Sequence, residues 1–152
     1  MYKIMFVCHG NICRSPMAEF VFKDMAEKAG RGEEFFVRSS AVSDEEIWGG
    51  IGNPVYPPVK ALLHSLGISC EGKRACRLKT SDVEGYDLFV CMDESNLRGA
   101  KSILGKRGAE KCRKLLEFTG SDEDVSDPWY TRDFQTAYKD IARGCKALLE
   151  YL

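Results

Sequence analysis

Ile4-Met5-Phe6-Val7-Cys8-His9-Gly10-Asn11-Ile12-Cys13-Arg14-Ser15-Pro16 is the stretch on which the reading of this chain turns. An apolar run of strand type ends on a thiol, a short glycine-containing stretch follows, and Ser15-Pro16 opens a helix. A strand that hands a cysteine to a tight turn at a helix N-terminus builds an anion site. Successive backbone N–H groups of the loop point inward, and the positive end of the helix dipole adds to them. Five residues separate Cys8 from Arg14, whose planar guanidinium grips two oxygens of a phosphate-like dianion. The same field stabilises a thiolate, so Cys8 reads as an ionised nucleophile.

The bland readings are weaker. A cysteine that ends a strand is most often a small buried apolar residue, but the Gly, Asn, Arg and Ser that follow Cys8 do not belong to a core. An arginine in the first turn of a helix opposes the helix dipole and needs an anion to justify it.

Outward from this stretch, strands and helices alternate. Met17, Phe20, Val21, Met25 and Ala29 recur at helical spacing up to Gly30, which predicts a helix of about four turns. Glu34 to Ala41 reads as a second strand, Val42 to Pro58 as a Gly/Pro-rich loop carrying Trp48, and Val59 to Leu66 as a short helix ended by Gly67. Tyr86 to Met92 reads as a buried third strand, and Asp93 as the N-cap of a helix through Leu97. Cys112 to Phe118 reads as a fourth strand. Phe134, Ala137, Tyr138, Ile141, Ala142, Cys145, Leu148 and Leu149 lay down one helical stripe. The order predicts an α/β fold, a four-stranded parallel sheet with helices on both faces and the phosphate-binding loop at the C-terminal end of strand 1.

Composition narrows the class. With 152 residues, 44% hydrophobic and 30% charged, the chain is expected to fold as a single soluble domain over residues 1–152. A net charge of -1 without a basic tail or block argues against nucleic acid and acidic membrane as partners. The apolar run at the start is too short for a signal peptide, and no stretch approaches the ~20 apolar residues of a membrane span, so a cytoplasmic location is expected; a monomer is expected as well. The seven cysteines are odd in number and do not form a disulfide framework. They are read as reduced thiols, with Cys70, Cys76, Cys91, Cys112 and Cys145 as small buried residues. Their spacing does not suit zinc, no metal or other cofactor is called for, and His64 is read as structural or solvent-facing.

A thiolate that displaces an alcohol from phosphorus leaves an oxygen that needs a proton. Asp127-Pro128-Trp129-Tyr130 offers an acid held by the following proline, with rings able to wall a flat substrate. Asp-Pro is also a frequent turn pair, and Asp127 equally suits a helix cap.

The Val7 to Pro16 stretch, together with Asp127 to Tyr130 and the Tyr86 to Leu97 segment, resembles the low-molecular-weight protein tyrosine phosphatase family, and the likeness spans essentially the whole chain. The resemblance implies hydrolysis of phosphotyrosine, in proteins or small aryl phosphates, with inorganic phosphate as product and inhibitor. It implies that Cys8 becomes a phosphocysteine, that Arg14 and the N–H groups of His9, Gly10, Asn11, Ile12 and Cys13 hold the phosphate, and that Ser15 hydrogen-bonds the thiolate. Asn11 would prop the loop, Asp127 would act as general acid and then base, and Trp129 and Tyr130 would line the cleft. Cys13 matches a second loop thiol that in the family pairs reversibly with the nucleophile.

Some positions depart from the family pattern. His9 replaces a larger apolar or variable residue at the cleft mouth. Lys73 and Cys76 stand where the family often has a His that supports the loop Asn and an Arg three residues on. The Val42 to Pro58 loop is longer than usual, with Trp48 expected on the opposite pocket wall. Two other functions fit the same residues: arsenate reduction, for which Cys70 and Cys76 are the only relay pair, and a non-catalytic phosphate-binding module.

Overall fold

The computed structural model describes residues 1–152. Strand β1 (Tyr2–Cys8) leads into helix α1 (Arg14–Lys28), then β2 (Phe35–Ala41), a hairpin of β3 (Ile47–Trp48) and β4 (Ile51–Gly52), and helix α2 (Pro57–Ser65). Helix α3 (Asp82–Gly85), strand β5 (Leu88–Cys91), helix α4 (Glu94–Ala109) and strand β6 (Cys112–Lys114) follow. Helices α5 (Pro128–Thr131) and α6 (Phe134–Tyr151) complete the order. The main sheet runs β2-β1-β5-β6 with every pair parallel.

Strand β1 lies inside the sheet and is buried on both faces, which is why its sequence is an unbroken apolar run. Ile4, Phe6 and Cys8 point into one core, shared with Met17 and Phe22 of α1 and Ile141 and Leu148 of α6. Met5 and Val7 point into the other, with Leu97, Ala100 and Leu104 of α4. The four-stranded parallel sheet with helices on both faces is the architecture expected from the alternation.

The differences are local and have physical reasons. The fourth strand stops at Lys114, and Leu115–Thr119 forms a 3-10 turn. Leu115 and Leu116 are both fully buried in the same core, and consecutive side chains reach one side only if the chain leaves the pleat. The helix after Asp93 runs on to Ala109, its buried residues Asn96, Leu97, Ala100 and Leu104 diluted by glycines that blur the stripe. Gly105, at φ 77°, breaks it locally. The Val42 to Pro58 loop contains the β3–β4 hairpin, turned at Gly49-Gly50, both at positive φ as a two-residue turn of this kind requires. Helix α2 begins earlier than expected, because Pro57 and Pro58 occupy its first positions. No helix is long and apolar enough to cross a membrane.

All the cysteines are free, and all are buried save Cys76, which is exposed, contrary to expectation. Its neighbourhood is polar, with Lys73 and the backbone carbonyl of Ser39 beside the sulfur.

Burial raises the thiols of Cys13, Cys70, Cys91, Cys112 and Cys145. It pushes Cys13 up from 9.0 to about 12, with the charge of Cys8 adding to the effect. Burial likewise raises Cys112 to about 11, and it holds Cys91 and Cys145 well above the ordinary range. In the unfolded chain these groups lose their protons near pH 9, while in the folded chain they keep them. The unfolded state therefore binds fewer protons in that window, and stability falls as pH rises from about 9 towards 11. Urea unfolding at about pH 8 and about pH 10 is expected to show a loss of the order of 1 kcal/mol per pH unit for each such thiol. Cys145→Ala is expected to flatten that slope.

Candidate active site

Cys8 ends β1 at the carboxyl edge of the sheet, and the chain curls around its sulfur before α1 begins. The backbone N–H of Asn11 donates to Cys8 Sγ at 3.3 Å, and Ser15 Oγ lies 2.9 Å from it. Asn11 stands in the left-handed region at φ 63°, a conformation that a non-glycine residue adopts at a cost of about 1–2 kcal/mol. Its amide offsets that cost: Nδ2 donates to Ser15 Oγ at 2.8 Å and Ser39 Oγ at 3.0 Å, and Oδ1 accepts the N–H of Cys76 at 3.1 Å. Asn11 takes one lone pair of Ser15 Oγ, which leaves the hydroxyl a proton and a second lone pair for the sulfur.

Behind Asn11 lies a buried polar chain. Ser39 Oγ donates to Glu19 Oε1 at 2.6 Å, Glu19 is 2% exposed, and Lys23 Nζ sits 2.6 Å from its other oxygen. Lys73 Nζ donates to the carbonyl of Ser39 at 2.8 Å and lies 3.7 Å from Glu19. The buried carboxylate is thus paired and hydrogen-bonded, the condition under which a core tolerates it.

Arg14 is 3% exposed. Its Nη1 lies 2.9 Å from Asp93 Oδ2 and donates to the carbonyl of Val125 at 2.8 Å, and Nη2 lies 3.5 Å from Asp127 Oδ2. The guanidinium is locked before any ligand arrives, which spares binding the entropy of ordering it. Asp93 caps α4 with its other oxygen, accepting the N–H of Asn96 at 2.7 Å. Asp127 likewise caps α5, Oδ1 accepting the N–H of Trp129 at 3.0 Å. The Asp127 carboxyl group caps the helix through one oxygen and turns the other toward Arg14 in the cleft, so the capping role leaves that oxygen free.

The cleft encloses about 550 Å³, its open mouth included, and the loop from Cys8 to Arg14 forms its floor. Asp127, Trp129 and Tyr130 form one side and Glu45 and Glu46 line it as well. Trp129 packs on Tyr56 with ring centroids 5.0 Å apart, and Arg132 donates to the Tyr56 hydroxyl at 2.9 Å. Tyr130 is 82% exposed. His9 Nε2 lies 3.0 Å from Glu45 Oε2 at the mouth. Trp48 does not line the cleft: it is 74% exposed at the hairpin turn. Strand alternation turns Ile47 toward the core and leaves Trp48 on the solvent face, so the wall expected there is made by glutamates instead.

Residues 3–152 match the family described as low molecular weight phosphotyrosine protein phosphatase. The low molecular weight protein-tyrosine-phosphatase YfkJ of Bacillus subtilis is 34% identical over 151 residues, 98% of this chain and 94% of its own length. A low molecular weight phosphotyrosine protein phosphatase of Sus scrofa is 36% identical, over 97% of this chain and 93% of its own. The crystal structure of YfkJ superposes with a TM-score of 0.92 at 35% identity, covering 99% of this chain and 94% of that one. The chain belongs to this family.

In this low molecular weight phosphotyrosine protein phosphatase, the loop residues singled out from sequence meet around one cavity, with Ser15 just beneath it. Asn11 is supported by Ser39 and the backbone of Cys76, with Glu19 and Lys73 behind. Lys73 stands at the supporting position that the resemblance singled out, whereas Glu19, Ser39 and the Arg14-binding oxygen of Asp93 were missed. Their signal was faint: Glu19 is a carboxylate on the core face of α1, between Ala18 and Val21.

Asn11→Gly keeps the left-handed geometry and loses the amide, whereas Asn11→Ala loses both. Urea unfolding is expected to place Asn11→Ala about 1 kcal/mol or more below Asn11→Gly, with both less stable than the parent. A reversed order would mean that backbone strain is not stored at this position.

Proposed function

We propose that this chain hydrolyses phosphotyrosine, in proteins or in small aryl phosphates, through a phosphocysteine intermediate. The phosphate dianion enters the ring of N–H groups between His9 and Arg14, where fixed donors and the N-terminus of α1 replace its hydration. Cys8 Sγ attacks phosphorus in line with the ester oxygen. As that bond breaks, Asp127 gives its proton to the departing phenol, leaving a phosphocysteine and an ionised Asp127. Water then attacks the phosphorus of the intermediate and passes a proton to Asp127. The S–P bond breaks, and inorganic phosphate and the free sulfur are released. Arg14 and the loop amides bear the charge that spreads over the equatorial oxygens in both steps.

The observation that carries this reading is the placing of three functions in one cleft: a sulfur that accepts hydrogen bonds, a pre-locked guanidinium, and a carboxyl group that is not used up by its capping role. Trp129, held by Tyr56, and Tyr130 favour a flat leaving group. Arsenate reduction has less support, because the Cys76 sulfur lies 3.3 Å from the Ser39 carbonyl, on the scaffold side of Asn11. Inorganic phosphate is the product and an inhibitor in this reading, and the chain acts as a monomer.

Cys8→Ser is expected to abolish turnover. Asp127→Asn preserves the cap on Trp129 but has no proton to give, so phenyl phosphate should slow by about 10²–10⁴-fold. Para-nitrophenyl phosphate, with a better leaving group, should slow far less. Equal slowing of the two esters in steady-state assays would remove Asp127 from the role of acid.

A further inference from the structure

The cleft has a charge imbalance that phosphate binding does not use. Arg14 already faces Asp93 and Asp127, and the lip adds Glu45 and Glu46. Glu45 has His9 beside it at 3.0 Å. Glu46 lines the cleft and forms no ion pair with any lysine, arginine or histidine. A carboxylate so close to an anion site repels the dianion that the site exists to bind, so its presence calls for a cation that the protein itself does not supply.

Glu46 is also held in place. The N–H and Oγ of Ser43 donate to the carbonyl of His9 at 3.1 and 3.0 Å, which ties this segment to the phosphate loop. On the other side, the N–H of Ile47 donates to the Asp44 carbonyl at 3.0 Å, and that of Asn53 to the Glu46 carbonyl at 2.8 Å. The stem of Glu46 lies over Gly10, its Cγ only 3.1 Å from where a Cβ at that position would be. The carboxylate is therefore carried at the rim by a braced segment rather than on a free loop.

We infer that Glu46, with Glu45 beside it, is a specificity-determining residue that selects phosphotyrosine segments carrying a lysine or arginine next to the phosphorylated residue. The inference rests on the phosphatase reading and names the substrate class of that same site. The cation of the substrate meets the rim carboxylates while its phosphate meets Arg14 and the loop, so opposite charges on the substrate fall against opposite charges of the cleft. Acidic flanking residues meet like charge and are turned away.

The test uses two phosphotyrosine peptides that differ only in having arginine or glutamate at both flanking positions, with para-nitrophenyl phosphate as reference. The parent enzyme is expected to favour the arginine peptide in kcat/KM by about tenfold at low salt, and less in roughly 0.5 M salt as the charges are screened. Glu46→Gln should reduce that ratio to about twofold, and Glu46→Lys should invert it. A merely structural role for Glu46 would shift both peptides together and leave the ratio and its salt dependence untouched. Equal kcat/KM for the two peptides in the parent, or a preference unchanged in Glu46→Lys, overturns the inference while turnover of para-nitrophenyl phosphate leaves the phosphatase reading standing. Absence of that turnover overturns both.

Discussion

The structure depends on one residue held against its own preference. Asn11 sits in the left-handed region because its side-chain amide is engaged on three sides, by Ser15, Ser39 and the backbone of Cys76. That single kink turns the N–H of Asn11 toward the Cys8 sulfur rather than away from it. An anion cradle made of backbone donors is only as good as their common direction, so the polar chain through Ser39, Glu19 and Lys73 belongs to the chemistry although none of these side chains lines the cleft.

The sheet supplies the complementary constraint. Strands β1 and β5 are neighbours and run parallel, so their carboxyl ends open onto the same edge. Cys8 closes one of them, and Asp93 follows the other closely. Val125 comes to the same edge, its N–H donating to the carbonyl of Met92 at 2.9 Å while its own carbonyl accepts from Arg14. Ligands of open α/β sheets bind at this edge because loops from several strands meet there, each free to vary without disturbing the core.

Much of this was legible from the residues, and the reason is locality. The loop from Cys8 to Pro16 carries its thiol, its guanidinium and its helix start within one short run, and Asp127-Pro128-Trp129 declares both a cap and an aromatic wall. What stayed hidden is assembled from distant segments. Glu19 and Ser39 come from a helix and a strand, and each alone looks like an ordinary polar residue. Asp93 was recognised as a cap, but a pattern along the chain does not reveal that its second oxygen reaches Arg14. Trp48 was misplaced for the opposite reason: an aromatic residue suggests a wall, while the Gly49-Gly50 turn that sends it into solvent was there to be read as a hairpin.

The two oxygens of Asp93 tie together parts of the molecule that lie on different faces of the sheet. One secures the first turn of α4 and the other secures Arg14, whose helix α1 packs on the opposite core. Fraying of α4 at its start therefore removes one of the guanidinium's three holds, and an anion that steadies the guanidinium also steadies α4. Occupancy of the cleft should thus be felt as slower amide exchange on the far layer, making this carboxylate a hinge pin between recognition and the cooperativity of unfolding.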